Sequence, residues 1–110
     1  MKKFIAIYHS TPEAMQQFAN APEEAKAAGM KMWLDWKEKA GNHVVDYGAP
    51  LLPGQSGDES KDWSSINSSI SGYSIFQANS IEDLKELMED HPHLMSSNGS
   101  TLELLEFMPM

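Results

Sequence analysis

Four histidines, His9, His43, His91 and His93, are the side chains of this sequence that change charge near neutral pH. His91 is the first candidate for acid–base chemistry. Ile81, Leu84, Leu87 and Met88 fall on one helical face, and His91 continues it at i+4 from Leu87 and i+3 from Met88. A titratable ring at the inner end of an apolar stripe could move a proton. The competing reading is a histidine at a helix C-terminus, bonded to the last carbonyls. Asp46 sits between Val45 and Tyr47, where an acid in a strand must face water, a partner or a pocket. It could orient His91 or balance its charge; an edge-strand charge against aggregation is the plainer reading. His9, Met30 and Trp33 are the candidates to line a ligand pocket, although His9 also suits a surface cap. His91-Pro92-His93 looks like a metal motif, but two nitrogens do not close a site. A third ligand from His9, His43 or Asp46 follows no standard spacing, so no metal and no cofactor are expected.

Other chemistries are excluded or unsupported. No cysteine is present, which removes disulfides, thiolate zinc sites and cysteine nucleophiles. There is no Gly-rich phosphate loop, nucleophile elbow or Ser-His-Asp motif. Trp33, Trp36 and Trp63 suit core or interface better than a ligand cage. Glu82, Asp83, Glu86, Glu89 and Asp90 suit a solvated helix face. Eight Lys and Arg against sixteen Asp and Glu give a net charge of -8. Neither a nucleic-acid partner nor an anionic membrane surface fits that balance. No run approaches the ~18 apolar residues of a membrane span, and Phe4–Tyr8 is too short for a leader, so a cytoplasmic location is expected. Asn67-Ser68-Ser69 and Asn98-Gly99-Ser100 match the glycosylation sequon, without consequence in that compartment.

The elements that must position these residues are legible. With 110 residues and 41% hydrophobic content, one domain spanning 1–110 is expected. Residues 2–9 predict a strand ended by Ser10-Thr11-Pro12. Residues 12–40 predict helix with a break near Asn20-Ala21-Pro22, stopped by Gly41-Asn42. Residues 43–47 predict a second strand. Residues 48–71 form a long connection rich in turn residues, which a solvated loop, an irregular hairpin or a mobile flap would each satisfy. Residues 72–79 predict a third strand, then Ser80 caps a helix that runs to about Asp90 or His91. Residues 101–107 predict the last strand. On the first helical segment Ala25, Ala28, Gly29, Met32, Trp33, Trp36 and Ala40 share a core stripe, whereas Met30 and Leu34 fall among charges.

The order is βαββαβ, which predicts an α+β, ferredoxin-like sandwich: a four-stranded antiparallel sheet with both helices on one face. Each strand is apolar on both sides. Ile5 and Ile7 oppose Phe4, Ala6 and Tyr8; Tyr73 and Ile75 oppose Phe76 and Ala78. Helices cover one face, so the other needs a cover. A second copy packed by the same face predicts a homodimer, a dimeric α/β barrel; the alternative is that residues 48–71 fold over it.

The segments 41–51 (Gly41-Asn42-His43-Val44-Val45-Asp46-Tyr47-Gly48-Ala49-Pro50-Leu51), Gly72-Tyr73-Ser74-Ile75, His91-Pro92-His93-Leu94 and 104–110 together resemble the YCII-related (DGPF-like) domain family. The resemblance implies a dimeric α/β barrel of ferredoxin-like protomers, with no single activity. Some members carry a proposed His–Asp active site, the His on the first helix and the Asp just before a proline. Here Met30 lies near the position of that histidine, and His91, preceded by Asp90, stands before Pro92. The function expected is binding of a small apolar or aromatic metabolite, with cofactor-free proton transfer through His91 and Asp46 if the protein is an enzyme. The alternative is a non-catalytic binding or structural accessory module.

Overall fold

The computed structural model describes residues 1–95 and 99–110; Asn98 of the second sequon lies outside them. Strand β1 (Lys2–His9) leads to helix α1 (Pro12–Asn20), which Thr11 caps by accepting the Ala14 N–H at 3.0 Å. The chain breaks at Ala21-Pro22, and α2 (Glu23–Ala40) follows, ending at Gly41 with φ +59. A single 3₁₀ turn leads into β2 (Val44–Pro50). The long connection contains a short hairpin, β3 (Gln55–Gly57) with β4 (Trp63–Ser65). Strand β5 (Ile70–Ala78), helix α3 (Ile81–Leu87), a 3₁₀ turn, helix α4 (Pro92–Met95) and β6 (Thr101–Glu106) complete the order. The helix expected to reach Asp90 or His91 ends as α-helix at Leu87, because Met88–Asp90 tightens into 3₁₀ before Pro92.

The main sheet runs β2-β5-β1-β6, antiparallel throughout, which is the ferredoxin-like arrangement. Its inner face supplies the core: Phe4, Ala6 and Tyr8 from β1, Phe76 and Ala78 from β5. Helix α2 closes this face with Trp36 and Ala40, α3 with Leu84, and the following turn with Met88. The core stripe expected on α2 is buried only in its C-terminal part. Ala25 and Ala28 are exposed and Met32 is 52% exposed, because only the Trp33–Ala40 end joins the sheet core.

Register carries one obligatory glycine. In β2 the pairing with β5 shifts between Asp46 and Ala49. Gly48 lies in that shift at φ +81, and a Cβ there would sit 1.8 Å from the Tyr73 carbonyl oxygen. No L side chain fits.

The outer sheet face is uncovered among the described residues. Ile5 pairs with Ile75 on one side and Leu105 on the other, and Ile7 pairs with Tyr73. Ile5, Ile7, Tyr73 and Ile75 are half-buried, and Leu105 is exposed. The connection does not roof them. Residues 51–70 are exposed throughout, and the hairpin stands away from the body with Trp63 lying across Gly57. The radius of gyration, 15.5 Å, exceeds the ~13 Å of a compact chain this long.

Candidate functional site

His91 lies against the core as expected, although it follows the 3₁₀ turn after α3 in extended conformation and does not continue the helix. The side chain is completely buried. Its ring lies 4.3 Å from that of Trp36, 4.7 Å from Trp33 in edge contact, and 5.3 Å from Tyr8, centroid to centroid. Both nitrogens are engaged. Nδ1 accepts the backbone N–H of His93 at 3.0 Å, so the proton of the neutral ring sits on Nε2. Nε2–H then donates to Tyr8 Oη at 3.2 Å. Tyr8 Oη donates to Ser74 Oγ at 2.8 Å, and Ser74 Oγ donates to the Tyr47 carbonyl at 2.6 Å. The result is a one-way chain of donors, from His91 through Tyr8 and Ser74 to a β2 carbonyl, with every buried group satisfied.

Burial sets the electrostatics. It pushes the His91 imidazole down to about 4, helped by the charge of His93 and opposed by Asp90. Burial likewise pushes the Tyr8 phenol up to about 12, against the opposing hydrogen bond from Ser74. Near neutral pH the whole chain is therefore uncharged. Neither cleft of the surface described below is lined by His91.

Asp46 is placed apart from His91. It is exposed, accepts the Gly48 N–H at 2.8 Å, and no contact joins it to the ring. It borders a cleft of about 430 Å³ between the end of α2 and β2, with Leu34, Lys37 and Tyr47. Lys37 lies over the Tyr47 ring there, 4.8 Å from its centre. Trp33 is half-buried and touches Tyr8, Tyr47, His91 and His93 by its edges, whereas Met30 is 67% exposed.

His9 lies at the end of β1 on the outer face. It borders a second cleft, of about 490 Å³, and contacts Ser69 and Glu103. The other two histidines serve backbone atoms. His93 Nε2 donates to the carbonyls of His9 at 3.0 Å and Thr101 at 2.7 Å, and His43 Nδ1 donates to Gln77 O at 2.9 Å. No group of three or more His, Cys, Asp or Glu is placed to hold a metal among the described residues. No helix among them is long and apolar enough to cross a membrane.

Sequence reasoning misses Tyr8 and Ser74 as partners of His91, and Ser69 and Glu103 as partners of His9. Strand parity puts His9 and Glu103 on one face, but nothing local aligns β1 with β6 or returns Ser69 to either.

No protein-family model matches the chain. No curated protein matches it either. Among solved structures it is similar to 5-chloro-2-hydroxyhydroquinone dehydrochlorinase (TftG) from Burkholderia phenoliruptrix AC1100, in complex with 2,5-dihydroxybenzoquinone. The identity is 16%, the match covers 92% of this chain and 90% of that chain, and the TM-score is 0.55. Likeness at this identity shows a shared fold.

Proposed function

We propose that the protein acts in the cytoplasm as a homodimer, paired through its outer sheet faces, that binds a small apolar or aromatic metabolite. The observation that carries this reading is the uncovered row of Ile5, Ile7, Tyr73, Ile75 and Leu105. A second copy removes it from water and leaves a chamber between the twisted sheets. The resemblance to YCII-related proteins agrees with such pairing. His9 stands at the edge of the face, where it would meet a ligand entering the chamber; Trp33 and Met30, on α2 over the opposite face, would not line it. A hydroxylated quinone ring of the kind held by the similar structure is the first probe.

Light scattering tests the pairing, and a thermal shift with 2,5-dihydroxybenzoquinone tests the ligand class. The expected results are twice the 12.3 kDa chain mass and a melting temperature that rises with ligand. The mass of one chain, with no shift on ligand, overturns the proposal.

Within this reading, one observation favours binding without catalysis at His91. Both of its nitrogens are consumed inside the core and Asp46 is elsewhere. An imidazole titration tests this directly. A His91 signal that ignores the quinone supports the non-catalytic reading, and a ligand-dependent shift restores His91 as the proton carrier.

A further inference from the structure

A second constellation stands outside the His91 chain. His9 Nδ1 lies 2.6 Å from Ser69 Oγ, and His9 Nε2 is paired with Glu103 Oε1. A carboxylate only accepts, so Nε2 carries a proton. In the neutral ring Nδ1 is then the bare nitrogen, and the Ser69 hydroxyl donates to it. We infer that Ser69, His9 and Glu103 form a serine nucleophile site that transfers acyl groups from esters to water.

The arrangement is the one that activates a hydroxyl: a nucleophile within hydrogen-bond reach of a base, and the base oriented by a third group. Here the ring is reversed, with the acid on Nε2 and the hydroxyl on Nδ1. The three side chains arrive from β1, β6 and the connection, so no sequence motif announces them. Their backbones are tied down. Ser10 N–H donates to the Ser69 carbonyl at 2.9 Å. His93 bridges the carbonyls of His9 and Thr101. Glu103 is held opposite Ile7 in the β1–β6 ladder.

The adjoining cleft of about 490 Å³ is bounded by Thr11, Pro12, Gly99 and Thr101. Ser69, His9 and Glu103 line the same cleft, so an ester held there would meet the nucleophile.

In the first half-reaction Ser69 Oγ bonds to the ester carbonyl carbon as its proton passes to His9 Nδ1. The Glu103 carboxylate holds the resulting imidazolium. The bond to the leaving alcohol breaks, and His9 returns the proton to that oxygen. Water then attacks the acyl-serine, giving a proton to Nδ1. As the acyl–Oγ bond breaks, that proton moves to Ser69 Oγ and the acid leaves. Nothing is oxidised or reduced.

All three groups belong to one chain, so the inference needs no second copy, although it shares His9 with the proposed ligand chamber. The test uses the full chain with p-nitrophenyl acetate and, separately, a fluorophosphonate, read by intact mass and peptide mapping. The expected results are a burst of p-nitrophenol and one phosphonyl adduct on Ser69. Ser69→Ala should abolish both, Ser69→Cys should keep the burst, and Ser64→Ala in the exposed hairpin should change neither. His9→Gln should slow acylation by about 10²-fold with the circular dichroism unchanged. Absence of an adduct on the folded wild type, an adduct on another serine, or an unchanged burst in Ser69→Ala overturns the inference. None of these results bears on the mass or the thermal shift above.

Discussion

Tyr8 Oη and His91 Nε2 lie 3.2 Å apart although 83 positions separate the residues in sequence. The phenol receives the imidazole proton on one side and hands its own to Ser74 on the other. That contact joins the first strand to the segment after α3 and gives the Nε2–H of a fully buried histidine its acceptor.

A pH dependence follows from it. Burial holds His91 at about 4, against 6.5 for the free ring. Between those values the unfolded chain binds a proton that the folded chain refuses. The contribution is therefore fully present above pH 6.5 and is lost as the pH falls toward 4, by ~3 kcal/mol in all. Urea midpoints measured from pH 7.5 to 4 should fall across that window. In His91→Gln the same window should be flatter; an identical slope would refute the assignment.

Removing the middle of the donor chain should be costly. Tyr8→Phe strands the Nε2–H of His91 and takes a donor from Ser74 Oγ, at a cost of ~1–3 kcal/mol. Ser74→Ala breaks the same chain one step further on. The double variant should lose less than the sum, because both substitutions interrupt one network. Chemical denaturation of the four proteins measures the coupling; strict additivity would mean the two bonds act independently.

Gly48→Ala should be among the most damaging single substitutions at an otherwise unremarkable strand position. The added Cβ meets the Tyr73 carbonyl oxygen at 1.8 Å, and the backbone is already at φ +81. Conformational strain contributes ~1–3 kcal/mol and the clash adds to it. A thermal melt within a degree or two of wild type would show that the β2 shift can relax.

The paired-sheet proposal makes its own demand on Leu105. This side chain is 46% exposed in the single chain and faces Ile5 across the ladder. Leu105→Lys should leave the fold intact and halve the scattered mass to 12.3 kDa, because a bare ammonium in the interface finds no partner. A dimer that survives the substitution points to a different contact surface.

Much of the fold is legible without coordinates. Ser80 caps the helix it precedes, the break falls at Ala21-Pro22, and the strand alternation separates Phe4, Ala6 and Tyr8 from Ile5 and Ile7. These signals are local: a cap, a proline or a period of two acts within a few residues of itself. The spacing from Leu87 and Met88 singles out His91 as inward-facing, although the residue lies past the end of the helix. The connection is harder, because its turn residues fit a loop as well as the short hairpin at Gln55–Gly57 and Trp63–Ser65.

What the amino-acid order alone determined is therefore the set of elements, their inward faces and the outward apolar row of the sheet. Tertiary structure alone decided what each titratable group meets. Spacing puts His91 inside, but only the β1–β5 register brings Tyr8 and Ser74 into line with its ring. It also leaves Asp46 with Gly48 and gives His9 to Ser69 and Glu103. The reason is physical: propensity and amphipathic period are properties of neighbouring residues. Hydrogen bonds between side chains 60 to 94 positions apart exist only once the strands have chosen their register.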